Sequence, residues 1–259
     1  MEEERGGGGC SSSGRRGGDR GHRGGARFRA RVADELSEAD QPRRSDPKRA
    51  TARDDREEVL ARFGSATLGE CGARLLPPRV HAIWAGCALA APALPVRCTP
   101  GDNLAVHVAV ARAAAGTALV VDVGDVPGRG YFGEVLTTAA QARGIVGLVI
   151  DGGVRDVAAL RELGFPVFAS LVALPGAAKV APGTVGRPAR VAGVPVALGD
   201  WVVGDADGVV IVPGERLEEI VTAARGRTEK EVGYFEALRS GATTVELLGL
   251  DSSVVDVDL

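Results

Sequence analysis

The chain has 259 residues, of which 45% are hydrophobic and 25% are charged, and its formal net charge is -3. This length supports one domain with a sizeable core, and the near-neutral charge gives no case for nucleic-acid binding by the whole protein. No apolar run approaches the roughly 18–20 residues of a membrane helix, and we expect no signal peptide. The four cysteines lack CxxC spacing, which favours neither a zinc site nor a disulfide framework and makes a reduced, cytoplasmic compartment the expectation.

The first 55 residues differ in composition from the rest of the chain. They contain GGGGCSSSGRRGGDRGHRGG, which has almost nothing to bury, followed by a polar linker of mixed charge. We therefore predict that residues 1–55 are disordered. Their Arg-Gly content could bind RNA weakly, but a solvated tail is the simpler interpretation, because composition alone is a weak indicator of function.

Ordered structure is predicted from about Arg56. An amphipathic helix runs through Val59, Leu60 and Phe63, and a second helix starts near Ser65 because hydroxyl residues cap helices well. The other elements predicted in this part of the chain are strands within 81–90 and 94–98 and a helix at 102–115.

The second half of the chain alternates buried strands with short helices. A tight turn is predicted at Gly152-Gly153, between a strand that ends at Ile150 and a helix at 154–163. The other predicted elements are strands at 118–122 and 166–170, a helix at 134–143, hairpins at 187–198 and 201–213, and a helix at 215–225. Strand-helix units beside hairpins predict an α/β fold with mixed sheets rather than a simple dinucleotide-binding fold.

Arg155 and Asp156 form the most suggestive pair of polar residues, because they follow the predicted strand 145–150. In α/β sheets, ligands bind beyond the carboxyl ends of the strands. An arginine can hold a carboxylate with two hydrogen bonds, and an aspartate is a hard oxygen ligand for Mg²⁺. The free N–H groups of residues 133–136, at a helix start, can hold a second anionic oxygen. A purely structural role, with Asp156 at a helix start and Arg155 paired on the surface, remains an equal alternative.

Other polar residues receive structural interpretations. Asp122 and Asp151, at strand ends, are either acceptors that support the site or ordinary turn residues. Asp205 and Asp207 are expected to stabilise a turn. His107 has apolar neighbours on its helix and is expected to be packed rather than to bind a ligand.

Three segments together resemble one known family. They are LVVDVGD, GEVLTTAAQARGIVGLVIDGGVRDVAALRELGFPVFA and GDWVVGDADGVVIVP. They resemble the RraA-like family, over about residues 57–225, and in particular its 4-hydroxy-4-methyl-2-oxoglutarate / 4-carboxy-4-hydroxy-2-oxoadipate aldolase branch. The resemblance implies a layered α/β/β/α subunit, a homotrimer or a hexamer, and a class II pyruvate aldolase that depends on Mg²⁺, Mn²⁺ or another divalent metal. Many members of the family also decarboxylate oxaloacetate.

The resemblance also implies roles for individual residues. Arg155 would bind the keto acid and Asp156 would ligate the metal, so these two are the candidate catalytic residues. Glu231 falls where the aldolase branch places an acid that reaches into the neighbouring subunit. The residues implied to contact the substrate through their backbone are Gly133, Glu134, Val135 and Leu136.

The predicted organisation is a catalytic domain at 56–226 and a C-terminal helical extension at 227–259. The family also contains regulators that bind a ribonuclease, and they are shorter at the C-terminus. A protein-binding regulator of ribonuclease activity is therefore the alternative function. An RNA-binding function through the Arg-Gly segment ranks last.

Overall fold

The computed structural model describes residues 47–258, with side chains from residue 55 onward. It shows a mixed α/β fold in which a ten-stranded sheet is covered by helices. Within this part of the chain, no helix is both long and apolar enough to cross a membrane. Residues 1–46 lie outside the described residues, and with them most of the segment predicted to be disordered.

Six α-helices are described. They are α1 (Pro47–Glu70), α2 (Leu104–Arg112), α3 (Glu134–Ala142), α4 (Val157–Glu162), α5 (Leu217–Arg239) and α6 (Thr244–Leu248), with 3-10 turns at Gly214–Arg216 and Ser252–Val254. Helix α1 begins before the predicted start of order at Arg56 and contains a kink at Gly64, whose φ is 74°. The kink separates the two helices that the sequence predicted before and after it.

The strands are β1 (Arg74–Leu75), β2 (His81–Ala82), β3 (Leu89–Arg97), β4 (Ala118–Asp122), β5 (Gly130–Phe132), β6 (Gly147–Val154), β7 (Val167–Val172), β8 (Thr184–Val185), β9 (Ala189–Val191), β10 (Val194–Val196), β11 (Trp201–Gly204) and β12 (Val209–Val212). The main sheet runs in the order β1-β12-β11-β3-β4-β6-β7-β2, with β5 paired to β6 and β8 to β3. Strands β3, β4, β6 and β7 are parallel to one another, whereas β11 and β12 form an antiparallel hairpin. Strands β9 and β10 form the second predicted hairpin.

Alternate residues of the sheet face different hydrophobic clusters, and the clusters define four layers. Ile150 of β6 faces α2, α3 and α4. Val149 of β6 and Ile211 of β12 belong to a cluster between the parallel and antiparallel parts of the sheet. Val210 of β12 packs with Ile220 of α5 in a third cluster. This α/β/β/α arrangement is the predicted fold class.

Strand β3 corrects the prediction of separate strands at 81–90 and 94–98. Its first residues pair with β11 as far as Pro92, and the ladder to β4 starts at Ala93. Proline cannot donate to a ladder and is tolerated where pairing changes. Here Pro92 falls at the change of partner, so one nine-residue strand continues through it. Only His81–Ala82 of the first predicted strand forms a separate strand.

The prediction of a tight turn at Gly152-Gly153 is wrong, because β6 continues through both glycines to Val154. A Cβ at Gly153 would lie 2.5 Å from the carbonyl oxygen of Arg129. The second glycine therefore allows the loop before β5 to pass close to β6, rather than supplying a turn. As a result Arg155 and Asp156 follow β6 directly, and α4 begins only at Val157.

The C-terminal region is more continuous than predicted. Helix α5 runs to Arg239 without a break near residue 226, where the catalytic domain was predicted to end. Its last residue buried in the fold is Ala224, and the turns beyond it are mostly exposed. Between residues 227 and 258 the chain is largely helical, as predicted for the C-terminal extension, whereas the boundary of the domain stays a prediction.

Candidate active site

A cavity of about 250 Å³ opens at the carboxyl end of the parallel strands. Its walls come from the end of β5, the start of α3, the segment that links β6 to α4, the start of α2 and the loop that follows β7. The lining residues are Asn103, His107, Gly130, Tyr131, Phe132, Gly133, Val135, Leu136, Arg155, Asp156, Gly176, Ala177 and Lys179. The structure thus brings Arg155 and Asp156 together with most of the predicted backbone contacts.

Asp156 has a left-handed backbone conformation, with φ 57° and ψ 37°. Residues other than glycine adopt this conformation uncommonly, although aspartate and asparagine do so more often than the rest, and its cost must be compensated by the surrounding structure. Asp156 does not cap its own helix α4 with its side chain. Instead, its Oδ2 atom accepts a hydrogen bond of 3.1 Å from the backbone N–H of Glu134 at the start of α3. The unusual backbone therefore directs the carboxylate across the cavity.

Gly133 is the last residue before α3, and the absence of a side chain there is required by its neighbours. A Cβ at this position would lie 2.5 Å from Asp156 Oδ2 and 3.1 Å from Arg155 Cγ. Helix α3 also has no side-chain cap at its start. Because the first N–H groups of a helix lack partners within it, those of Val135 and Leu136 can bind a negatively charged group.

The charges around the cavity favour an anionic ligand. Arg155 Nε lies 3.7 Å from Asp156 Oδ2, and the two side chains are 45% and 41% exposed, so the pair is loose and open to solvent. Lys179 adds a second positive charge to the wall. Two cations and one carboxylate leave a net positive site, which suits a carboxylic acid.

Asn103 and His107 line the cavity one turn apart on α2, and sequence reasoning did not assign them to the site. Asn103 Nδ2 donates a hydrogen bond of 2.8 Å to the carbonyl of Tyr131. Asn103 Oδ1 and His107 Nε2 are buried without a partner in the described residues. Burial and the charge of Lys179 lower the pKa of His107, although Asp102 opposes the shift. His107 was expected to be packed among apolar neighbours, and its position in the cavity wall was not predicted.

The donor set around Asp156 fits one kind of metal. Within residues 47–258, no group of three or more His, Cys, Asp or Glu side chains is placed to hold an ion. Mg²⁺ keeps several waters and often binds through one carboxylate together with its substrate, so the half-exposed carboxylate of Asp156 fits a hydrated Mg²⁺ or a similar hard cation.

Several other acidic residues from the sequence lie away from the cavity lining. Asp151 accepts two hydrogen bonds from Arg79, at 3.0 and 2.9 Å, and Asp122 accepts one from the backbone N–H of Gly124. Both therefore serve local structure. Glu134 contributes its backbone N–H, while its side chain is exposed and does not line the cavity.

Glu231 lies on α5, outside the residues that line the cavity of its own chain. Its carboxylate pairs with Arg227 at 2.9 Å, and Arg227 also pairs with Glu70 of α1. In this chain Glu231 thus belongs to an ion-pair network between two helices. Its predicted role in a neighbouring subunit stays a prediction.

Comparison with known proteins identifies the family to which the chain is similar. The model of the RraA-like family, described as Aldolase/RraA, matches residues 34–211. A "putative 4-hydroxy-4-methyl-2-oxoglutarate aldolase" of Halalkalibacterium halodurans is 36% identical over 134 residues, which are 52% of this chain. The match spans 64% of that relative, just under two thirds of its length. The 4-hydroxy-4-methyl-2-oxoglutarate aldolase of Thermus thermophilus is 33% identical over 112 residues, covering 43% of this chain and 68% of the relative.

A solved structure extends the likeness over three quarters of the chain. Streptomyces coelicolor RraAS2, described as an unusual member of the RNase ES inhibitor RraA protein family, superposes with a TM-score of 0.62 and 27% identity. The superposition covers 75% of this chain and 98% of that protein. The family model covers more than half of the chain, and the four-layer fold accompanies it. The chain therefore belongs to the RraA-like family.

Proposed function

We propose that the protein is a lyase that cleaves 4-hydroxy-4-methyl-2-oxoglutarate, or a related 4-hydroxy-2-oxo acid, into pyruvate and a second oxo acid. The observation that carries the proposal is the strained Asp156, hydrogen-bonded to the start of α3 and placed beside Arg155 in one cationic cavity. The similarity to proteins named as aldolases of this substrate supports the same assignment.

Asp156 is the residue that would hold a divalent metal, Mg²⁺ or Mn²⁺. When bound, such an ion would act as a Lewis acid that polarises the 2-oxo group of the substrate. Arg155 would bind the adjacent carboxylate through two hydrogen bonds, and the N–H groups of Val135 and Leu136 would hold a further oxygen. The substrate is thus fixed at its 2-oxo acid end, and its distal end lies towards the remaining walls.

The chain's own groups then favour cleavage of the bond between C3 and C4. As that bond breaks, its electron pair passes to the 2-oxo group and forms the enolate of pyruvate. The C4 hydroxyl loses its proton, to a water in the site, and becomes the carbonyl of the second oxo acid. Arg155 stabilises the negative charge that develops on the enolate, an interaction that is strongest in the transition state. Protonation of the enolate at C3 completes pyruvate.

Decarboxylation of oxaloacetate is the expected side reaction. When C4 leaves as CO₂, the electron pair of the broken C3–C4 bond passes to the 2-oxo group and forms the same pyruvate enolate. The groups that stabilise the enolate after aldol cleavage therefore serve this reaction as well.

Regulation of a ribonuclease by protein binding is the second candidate function, because the fold is shared with a member of the RNase ES inhibitor family. A binding surface does not require a backbone strained to hold a carboxylate at a cavity, whereas catalysis benefits from such a group. This contrast favours the lyase.

We also propose that the protein forms a homotrimer or a hexamer. Large apolar side chains are exposed on the elements that line or flank the cavity, with Val135 81%, Val172 54%, Leu174 81% and Val180 86% accessible. Patches of this kind mark interfaces, and a second copy of the chain would cover them. Light scattering should report a trimer or larger, and a stable active monomer would refute this assembly.

Release of pyruvate tests the proposed function. Purified protein should release pyruvate from 4-hydroxy-4-methyl-2-oxoglutarate and from oxaloacetate when Mg²⁺ or Mn²⁺ is present. Chelation with EDTA should remove the activity, and an excess of Mg²⁺ should restore it. If neither substrate gives metal-dependent pyruvate above the uncatalysed rate, the lyase is excluded, and inhibition of a ribonuclease becomes the next assay.

A further inference from the structure

Asp102 lies behind the cavity wall and does not line the cavity. It is almost completely buried, with 3% of its surface exposed. Its Oδ1 atom accepts a hydrogen bond of 2.8 Å from the backbone N–H of Leu104, at the start of α2. Its Oδ2 atom accepts two more, from the N–H groups of Val180 at 2.6 Å and Ala181 at 2.9 Å. One carboxylate therefore links two segments that are far apart in the sequence.

Both of these segments form walls of the cavity. The start of α2 carries Asn103 and His107, and the loop after β7 carries Gly176, Ala177 and Lys179. The loop has no regular secondary structure between residues 173 and 183. Its shape therefore depends on individual contacts, among them the hydrogen bonds from Val180 and Ala181 to Asp102.

Backbone contacts reinforce the same link. The N–H of Asn103 donates to the carbonyl of Ala178 at 2.8 Å, and the N–H of Ala178 donates to the carbonyl of Gly101 at 2.9 Å. These two bonds form a single bridge beside the carboxylate. Asp102 adds a charge-assisted pair of hydrogen bonds immediately after this bridge, and bonds of that kind are about twice as strong as neutral ones.

The carboxylate is ionised at neutral pH, so the link is intact there. Burial alone would raise the pKa of Asp102. The hydrogen bonds from Val180, Leu104 and Ala181 and the charge of Lys179 outweigh burial and lower the pKa below its usual range.

We propose that Asp102 is a positioning residue of the active site. It holds the loop after β7 against the start of α2, and so fixes the cavity walls that surround the distal end of the bound oxo acid. It touches neither substrate nor metal. The kinetic part of this inference rests on the proposed lyase function, whereas the structural part does not.

Asp200 provides a matched control. It is equally buried, at 3% exposure, and its carboxylate accepts two backbone hydrogen bonds, from Ala197 at 3.0 Å and Gly214 at 3.0 Å, and pairs with Arg74 at 3.5 Å. These contacts lie in the antiparallel part of the fold and not around the cavity. Asp102→Asn and Asp200→Asn therefore remove comparable contacts from two different places.

The test combines hydrogen exchange with kinetics on the full chain. In Asp102→Asn, the amide protons of Val180 and Ala181 should exchange at least about tenfold faster, because an opened loop exposes them. KM for oxaloacetate should rise at least about tenfold, with a smaller change in kcat, because the walls that bind substrate are displaced while Arg155 and Asp156 stay in place. Asp200→Asn should leave both the exchange of these two amides and KM at wild-type values.

A second variant, Asp102→Glu, keeps the charge and is expected to fold if Asp102→Asn does not. Its exchange at Val180 and Ala181 and its KM should be raised, but less than in Asp102→Asn. The proposal is overturned if the folded Asp102 variants keep wild-type exchange and KM, or if Asp200→Asn changes both as much as they do. A wild-type protein that releases no pyruvate would refute the lyase and leave the exchange experiment as the test of the link.

Discussion

Asp156 and Asp205 both follow the carboxyl end of a strand, yet their surroundings differ. Asp205, after β11, accepts hydrogen bonds from the N–H of Ser65 at 2.7 Å, the hydroxyl of Ser65 at 2.5 Å and the N–H of Asp207 at 3.0 Å. Asp156, after β6, accepts one backbone hydrogen bond, adopts a left-handed backbone and leaves its side chain 41% exposed at the cavity.

Asp205 therefore helps to stabilise the fold, whereas Asp156 is held in its conformation by the surrounding fold. Asp205 ties the β11–β12 hairpin to the second half of α1, so its hydrogen bonds contribute to stability. Asp156 carries a backbone cost that its single hydrogen bond does little to offset. We attribute its retention in that conformation to the chemistry proposed for the cavity.

Apart from changes to Asp156 itself, substitution of Arg155 should have the largest effect on turnover. Arg155→Ala should lower kcat and raise KM, with a loss on the order of 10²–10³ in rate, because the developing enolate charge loses its partner. Arg155→Lys should recover only part of this, because an ammonium cannot make the two-pronged contact. Steady-state pyruvate release measures both variants.

Arg79 is the control for that prediction. It holds Asp151 with two hydrogen bonds and does not line the cavity. Arg79→Ala should keep wild-type kinetics. If Arg79→Ala and Arg155→Ala lose equal turnover, Arg155 has no catalytic role that Arg79 lacks.

Gly133→Ala should have an intermediate effect. The added methyl group would lie 2.5 Å from Asp156 Oδ2 and would force the carboxylate away from the N–H of Glu134. A displacement of this size should lower turnover roughly 10- to 100-fold, while circular dichroism shows an intact fold.

Gly226→Ala is the matched glycine variant. A Cβ at Gly226, within α5, meets nothing within 4 Å. The change should stabilise the helix by about 1 kcal/mol and leave turnover unchanged. If Gly133→Ala also leaves turnover unchanged, the close approach of Asp156 to α3 does not contribute to catalysis.

The smallest effect is expected from titration of His107. Burial and Lys179 lower its pKa from the ordinary value of 6.5, against the opposing charge of Asp102. A lowered pKa stabilises the fold fully above 6.5, and this contribution is lost as pH falls through the folded-state pKa. Urea unfolding between pH 7 and about 5 should therefore show a steeper loss of stability in the wild type than in His107→Gln. If the wild type and His107→Gln lose stability equally as the pH falls, the lowered pKa of His107 is contradicted.

The sequence allowed prediction of those parts of the fold whose signals are local. The apolar run of β4, the Asp207-Gly208 turn of the β11–β12 hairpin and the helix after Gly133 were all predicted, because each depends on neighbouring residues. Arg155 and Asp156 were singled out by the same kind of local signal, because they follow the buried strand β6, and their catalytic roles stay predictions. Gly152-Gly153 was misread, because its glycines serve contact with a loop that no local pattern indicates.

The rest of the site could not be derived in this way. His107 and Lys179 come from separate elements and meet only when α2 and the loop after β7 close around the cavity. His107 lies among apolar neighbours on its helix, and Lys179 lies in a loop without a motif. The buried Asp102 that joins these elements is likewise indicated only by its contacts in three dimensions.

The most direct test of the central claim measures unfolding and turnover in Asp156→Asn and Asp205→Asn side by side. Asparagine tolerates the left-handed conformation and keeps one acceptor oxygen. Asp156→Asn should therefore stay within about 0.5 kcal/mol of wild-type stability, while Mg²⁺-dependent pyruvate release falls on the order of 10²–10³.

Asp205→Asn should do the reverse. Its amide would turn a donor towards groups that are themselves donors, so the free energy of unfolding should fall by about 1–3 kcal/mol, while pyruvate release keeps its wild-type rate. Substitution at Asp156 should thus reduce turnover and spare stability, and substitution at Asp205 should do the opposite. Wild-type, Mg²⁺-dependent turnover in Asp156→Asn together with its loss in Asp205→Asn would contradict a catalytic role for Asp156.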